Sequence, residues 1–395
     1  LLHKIYEKTD DKETPYSLVY DHRQTLEIRK IVYTINNNKV LIDGHNRPAR
    51  IFAARGISAG HFFASAPLGT PLTYSPLSLR RGDHFFDAGP STAGWGTFMI
   101  LEQTGKICDG LYATGYHFMP AFLLAAPAPV LFDAGVAAMG PHYLKDLETY
   151  LGRADALEYL LLTHSHYDHC GAAPYLKEKI PGLTIGTNAH AAKVLLKPNA
   201  VGLIRALNDN FTEIFKDAIG DEEKIPFNPV EVDLVLKDGD ELDCGGGWTV
   251  RVIETPGHTN DCLSYYIPKI KTLIAGEAVG VIHNGGIQPE FSSSYDDYMT
   301  SLERLVALDV EILALAHKHV LTGDDAGRFL RDSIETTVSF KGRIEGYLDR
   351  FGGNREKVVE TILGEDYDDT ILMQQDKKSF LLNLQAQVRV VAEGK

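Results

Sequence analysis

Residues 163–171 read THSHYDHCG and place three histidines and one aspartate between His164 and His169, directly after the apolar run EYLLL. In extended chain His164 and His166 stand two apart and face the same way, so both reach one ion. As the chain turns at Gly171, Asp168 and His169 aim elsewhere and are placed to hold a second ion about 3.5–4 Å from the first, the separation of two-metal hydrolytic sites. A lone histidine is ordinarily a surface or packing residue, but four clustered donors at a strand end have little structural use.

Further donors stand at comparable junctions. His258 follows Pro256 and Gly257 in ETPGHTNDCLSYY, Glu277 follows Gly276 in TLIAGEAVG, and His317 closes EILALAH. Donors at strand ends are preorganised, because the sheet fixes the backbone and the turn aims the side chain. Two divalent ions sharing a water lower its pKa toward neutrality and give a hydroxide that attacks a carbonyl or phosphoryl centre. Asp168 is the candidate catalytic residue, placed to hold that hydroxide in line and accept its proton. No Ser or Cys nucleophile is required, so Ser165 and Cys170 read as packing or supporting residues and Tyr167 as a lining or packing aromatic. Imidazole and carboxylate donors without thiolate suit zinc, iron or manganese; zinc is the first expectation and iron the second.

The elements that must position these residues follow from periodicity. Residues 26–57 alternate strand-like pieces with the turn material NNN and DGHNRP and read as β-hairpins. Residues 58–97 are rich in Gly, Pro, Ser and aromatics, and His61, Asp83, His84 and Asp87 are scattered there without forming a ligand set. That stretch reads as a lid, an interface or an ordinary appendage. From 106 come short apolar strands, then helical segments through LIRALNDNFTEIF, then a second run of strands. Two strand-rich halves with peripheral helices predict two sheets packed face to face with helices outside, a layered α/β architecture. After 325 the chain is helical and charged.

At 395 residues the chain exceeds one ordinary domain. A net charge of −14 argues against broad nucleic-acid binding, since phosphate affinity comes from Lys and Arg. No apolar run is long enough for a membrane span. The opening LLHKIYEKTDDKETPY lacks Met and a basic region before an apolar run, so it does not read as a secretory signal and is consistent with a trimmed fragment. Cys108, Cys170, Cys244 and Cys262 are far apart and form no CxxC pair, which suggests neither a disulfide framework nor a zinc knuckle and makes the cytoplasm the expected compartment.

From about 106 to 330 the chain resembles the metallo-β-lactamase superfamily: HxHxDH, the TPGHT turn, an acid after an apolar strand and Gly, and a late histidine before VLTG occur in that family's order. The resemblance implies a four-layer αββα sandwich at 106–330, preceded by a β-rich region of unknown role at 1–105 and followed by a helical extension at 331–395. It also implies that His164, His166 and His258 hold one metal and Asp168, His169 and His317 the other, with Glu277 bridging. Two positions depart from the pattern. The bridging residue is usually Asp, and the last ligand usually sits in a PGHG-like turn where this chain has LAHKH; aligning VLTG favours His317 over His319.

The compact THSHYDHCG form and the helical tail are similar to the glyoxalase II and thioesterase branch. The expected function is therefore a dinuclear-metal hydrolase in which a bridging hydroxide attacks a small thioester, ester or lactone. Its partner would be a small-molecule substrate, with no nucleic acid or membrane and with homodimerisation open. A diiron oxygenase or redox enzyme on the same fold is the first alternative, and a catalytically idle binding or signalling protein the second. A flavodiiron reductase is disfavoured by His166, where those proteins carry Glu, and by the short tail; a nuclease is disfavoured by the acidic charge.

Overall fold

A strand that is apolar on both faces needs a layer of structure against each. The computed structural model describes residues 30–35, 38–43, 50–53, 100–101, 104–116, 118–219, 225–283, 285–318, 320–367 and 377–394. The chain divides into two compact units, Leu1–Thr92 and Ala93–Lys395. In the first, β1 (Lys30–Ile35), β2 (Asn38–Asp43) and β3 (Arg50–Ala53) form an antiparallel sheet, with Lys30 opposite Asp43 and Val40 opposite Ala53. These are the hairpins expected from the alternating runs between 26 and 57. The stretch 58–97, with His61, Asp83, His84 and Asp87, lies outside the described residues.

The second unit opens with β4 (Ile100–Leu101) and continues through β5 (Gly105–Cys108), β6 (Leu111–Tyr116), β7 (Met119–Leu124), β8 (Val130–Phe132), β9 (Tyr159–Leu161), β10 (Thr184–Asn188) and β11 (Leu234–Leu236). Strands β5 to β11 make one seven-stranded sheet in sequential order, antiparallel up to β8 and parallel from β8 to β11. The next strands are β12 (Glu241–Asp243), β13 (Thr249–Glu254), β14 (Leu263–Ile267), β15 (Thr272–Gly276), the hairpin β16 (Val281–His283) and β17 (Gly286–Gln288), β18 (Ile312–Leu315) and β19 (Val320–Thr322). They form a second seven-stranded sheet in the order β12-β13-β14-β15-β18-β19-β4, leaving β16 and β17 paired by themselves. Because Ile100 and Leu101 pair with Leu321 and Val320, the boundary expected at 105 sits at Thr92/Ala93 in the structure.

Alternation along the strands sorts their side chains into three cores. Phe122, Val130, Phe132 and Leu161 from the first sheet meet Val252, Tyr265, Ile274 and Ala314 from the second in a core between the sheets. Their neighbours Leu123, Leu131 and Leu160 face the other way, onto a helical layer with Tyr143 and Leu147 of α1 (Gly140–Leu151). Further members are Cys170 of α2 (Tyr167–Cys170), Leu176 of α3 (Ala173–Lys179), and Val201 and Ile204, which lie beyond α4 (Ala189–Val194) in α5 (Pro198–Ile219). On the far side, Ile253, Leu273, Leu313 and Leu321 pack against Leu302 of α6 (Tyr295–Val306) and Phe329 of α7 (Asp324–Arg350). Val358 of α8 (Arg355–Asp366) and Leu384 of α9 (Lys377–Glu393) complete that layer. The result is the expected four-layer αββα sandwich. The helical extension shares the second sheet's outer core, and its first helix begins at Asp324 rather than 331. Among the described residues no helix is long and apolar enough to cross a membrane.

Topology brings the donors to one edge. Strands β8 and β9 run parallel, so the loops after them leave the same end of the first sheet. In the second sheet β15 and β18 are parallel, and β13 shares their direction because both it and β15 are antiparallel to β14. His258, Glu277 and His317 therefore all follow the carboxyl ends of like-directed strands, where α/β proteins place ligands.

The turn carrying His258 depends on Gly257. Its φ is 133°, and a Cβ there would lie 2.3 Å from the Cα of Tyr298. Its carbonyl also accepts hydrogen bonds from the N–H groups of Ser292, Ser293 and Ser294. Gly257→Ala is expected to cost about 2–4 kcal/mol, through both the clash and the strained backbone. Urea unfolding monitored by circular dichroism checks this; a change below about 0.5 kcal/mol, the size of an ordinary surface substitution, would contradict it.

Candidate metal centre

Each imbalance of charge in a buried cluster has to be met locally. His164, His169, His258 and Glu277 are all buried at the strand ends, while Asp168, His166 and His317 are partly exposed. The donor atoms of His164, His166, His258 and Glu277 lie within 4.8 Å of one another, and so do those of Asp168, His169 and His317. All seven residues singled out from the sequence thus come together, with Glu277 grouped beside His164, His166 and His258. His319 lies outside the described residues.

Glu277 stands at the junction of the groups. Its Oε2 is 2.7 Å from His258 Nε2, 3.3 Å from His164 Nε2 and 3.9 Å from His166 Nδ1. Its Oε1 is 3.2 Å from His317 Nε2, which is itself 3.7 Å from Asp168 Oδ2. The side chain therefore faces both groups, with Oε2 toward His258 and His164, and also 3.9 Å from His169 Nε2, and Oε1 toward His317. Burial pushes its carboxyl up, but the charge on His258 and the imidazoles gathered around it outweigh that and hold it well below the usual range.

Hydrogen bonds behind the cluster fix how the imidazoles point. The Thr163 hydroxyl donates to Asp133 at 2.9 Å, which leaves it to accept from His164 Nδ1 at 3.0 Å. His169 Nδ1 donates to Asp133 Oδ2 at 2.8 Å, and His258 Nδ1 donates to the Glu290 carbonyl at 2.6 Å. In all three rings Nε2 is left facing the cluster, the arrangement in which an outer partner sets the tautomer of a ligand. The Nε2 atoms of His164 and His169 are buried and have no hydrogen-bond partner. Burial and the neighbouring His169 hold His164 well below its usual pKa. Burial alone would lower His169 and His258, but Asp133 raises the first to about 10 and Glu277 the second to about 9.

Four residues with a part in the site were not found from the sequence. Asp133, at the end of β8, accepts from the Thr163 N–H at 2.7 Å and adopts φ 62°, a conformation rare for a residue other than Gly. Its signal was present, since it too is an acid that ends an apolar strand. Asp261 accepts from the Ser165 N–H at 3.1 Å. Glu290 is buried, receives Asn383 Nδ2 at 3.0 Å, and is raised to about 8 by burial and by Glu277. These pairings join residues far apart in sequence and carry no local pattern.

The supporting side chains beside the ligands take structural places. Cys170 is buried and its thiol is pushed well up by burial and by Asp168, which makes it a poor nucleophile. Tyr167 packs against the helical layer on the first sheet.

Residues 128–317, which span β8 to the last candidate ligand, match the family model of the metallo-beta-lactamase superfamily. That segment is of the metallo-beta-lactamase superfamily. Among curated relatives of the superfamily type, it is 29% identical to the metallo-beta-lactamase fold-containing protein ST1585 of Sulfurisphaera tokodaii over 200 residues, covering 48% of this chain and 67% of that protein. It is 30% identical to the hydroxyacylglutathione hydrolase of Brucella ovis over 156 residues, covering 40% of this chain and 46% of that enzyme. The match thus spans less than half of the hydrolase. A solved structure of the metallo-beta-lactamase family protein TTHA1429 from Thermus thermophilus shares the fold, with a TM-score of 0.51 at 21% identity, over 73% of this chain and 95% of that one. The two donor groups are candidate sites for divalent ions.

Proposed function

We propose that the protein hydrolyses a small thioester, ester or lactone with two divalent ions held by the seven clustered donors. The observation that carries this reading is the pair of buried, unpartnered Nε2 atoms of His164 and His169, each in a ring whose other nitrogen is occupied. A buried polar atom without a partner is costly unless a ligand meets it. His164, His166 and His258 would hold one ion, Asp168, His169 and His317 the other, and Glu277 would lie between them. Zinc is the first choice, and a donor set without thiolate accommodates iron or manganese as well. When bound, such ions lower the pKa of water toward neutrality and polarise a carbonyl oxygen.

The chain's own groups supply the rest. Asp168 is partly exposed at the mouth of the cluster and would orient the attacking water and take its proton. The Asp133–His169 and Glu290–His258 hydrogen bonds keep the rings in register. A cleft of about 360 Å³ opens beside His166 and His258, large enough for a small acyl substrate. The similarity to hydroxyacylglutathione hydrolases supports cleavage of an acylated thiol among these choices.

Zinc-loaded protein should hydrolyse at least one class in a panel of thioesters, esters and lactones. Asp168→Asn should lower kcat by about 10²–10⁴-fold, the usual contribution of a positioned proton acceptor. Protein carrying its metals that hydrolyses none of the three classes would sink the proposal.

A further inference from the structure

The last helix of the chain reaches the donor cluster through two amides. On α9, Asn383 and Gln387 stand four residues apart, about one turn, so their side chains share a face. They take hold of consecutive residues: Asn383 Nδ2 donates to Glu290 Oε2 at 3.0 Å, and Gln387 Nε2 donates to the Pro289 carbonyl. From the same helix the Arg389 guanidinium reaches the Ser292 carbonyl at 3.5 Å. Gln387 is 1% exposed, between Leu384 and Val388 of the outer core, so its amide has given up water and gains the Pro289 carbonyl in exchange. The segment they hold, residues 289–294 between β17 and α6, belongs to no strand or helix. Its other side serves the cluster. The Glu290 carbonyl accepts from His258 Nδ1 at 2.6 Å, and the Glu290 N–H donates to the Tyr298 hydroxyl at 3.4 Å, which donates in turn to the Glu277 carbonyl at 3.3 Å. Glu290 thus meets α9 with its side chain and His258 with its backbone. An imidazole whose outer nitrogen bonds a loop carbonyl is aimed only as well as that carbonyl is held.

We propose that Asn383 and Gln387 are positioning residues for His258, so that the C-terminal helix sets how tightly the group of His164, His166, His258 and Glu277 holds a divalent ion. This rests on the metal-centre part of the hydrolase reading and adds to it an element outside residues 128–317, the segment that carries the family pattern. Both amides act at one remove, through the Glu290 carbonyl. Metal ligands tolerate little misalignment, so a shift of that carbonyl is felt as affinity.

The test is the zinc affinity of the full-length protein, by competition with a chromogenic chelator, for the parent, Asn383→Ala and Gln387→Met. Gln387→Met removes the donor and keeps the bulk of the side chain, and Asn383 is partly exposed, so both variants spare the packing. Each should weaken one of the two ions by about 3–10-fold, less than the roughly 10–100-fold expected of a direct partner of a ligating histidine. In a His258→Ala background the same substitutions should change nothing further, because the ring they aim is gone. Affinities within about twofold of the parent, or equal losses with and without His258, would overturn the assignment and leave α9 a packing element. A second readout needs no metal. In metal-free protein the buried His258 Nδ1–H should give a proton resonance protected from exchange with water, identified by its loss in His258→Ala, and Gln387→Met should speed that exchange about tenfold or more. Unchanged exchange in Gln387→Met would count against the positioning role. Parent protein that binds no zinc yet shows the faster exchange in the variant would count against the metal centre and support that role, so the two failures are separable.

Discussion

Glu277→Gln is expected to lower hydrolysis by about 10³-fold, about 4 kcal/mol of lost transition-state stabilisation, and to reduce bound metal from two ions to one or none. The substitution keeps the volume of a side chain that is only 4% exposed, so the loss would come from chemistry. Glu277 sets one oxygen 2.7 Å from His258 Nε2 and the other 3.2 Å from His317 Nε2. A neutral amide cannot present two anionic oxygens, and its NH2 end would face an imidazole nitrogen needed for a metal. Glu277→Asp keeps the charge and withdraws it by one methylene, and should cost only about tenfold, the effect of displaced geometry. Steady-state rates measured with metal content decide this. A Glu277→Gln protein within about tenfold of the parent and still carrying two ions would show that the carboxylate does not bridge.

Asp133→Asn is expected to weaken metal binding and activity by about 10–100-fold, the usual range for a partner behind a metal-ligating histidine. Asp133 accepts from His169 Nδ1, from the Thr163 N–H and from the Thr163 hydroxyl at once. Asparagine tolerates the left-handed backbone at this position, so the test spares the local fold. It retains only one acceptor oxygen, however, so either His169 or Thr163 loses its partner. A buried group left unpaired costs about 1–3 kcal/mol, which should also appear as a lower unfolding midpoint. Competition with a chromogenic chelator measures the affinity. Affinity unchanged within about twofold would mean that His169 is oriented without Asp133.

Much of this architecture was legible because periodicity and chemistry coincide. Runs such as VLF and TLIAG are apolar on both faces, so they require two packed sheets with helices outside, and the three cores follow from that. His164, His166, His258, Glu277 and His317 each sit just past such a run, and like-directed strands necessarily deliver their ends to one edge. What stayed hidden depends on contacts between distant segments. Asp133 meets His169 36 residues away, and Glu290 meets Asn383 93 residues away. Neither pairing leaves a periodic trace. Strand β4 has two residues, too few for any alternation, and it joins the second sheet only through β19. The role of Tyr167 was likewise undecidable from position, because the turn into α2 sends it toward the helical layer rather than along the ligand row.

The most direct test of the two-ion account is metal content by elemental mass spectrometry on protein purified without added metal, with a visible spectrum of the same sample. About two zinc ions per chain and no visible band is the expected result, and about two iron ions with a band that bleaches on reduction would move the chemistry to a diiron redox enzyme. Less than about half an ion per chain, in protein that remains folded and takes up none on titration, would contradict a two-metal centre at these seven residues.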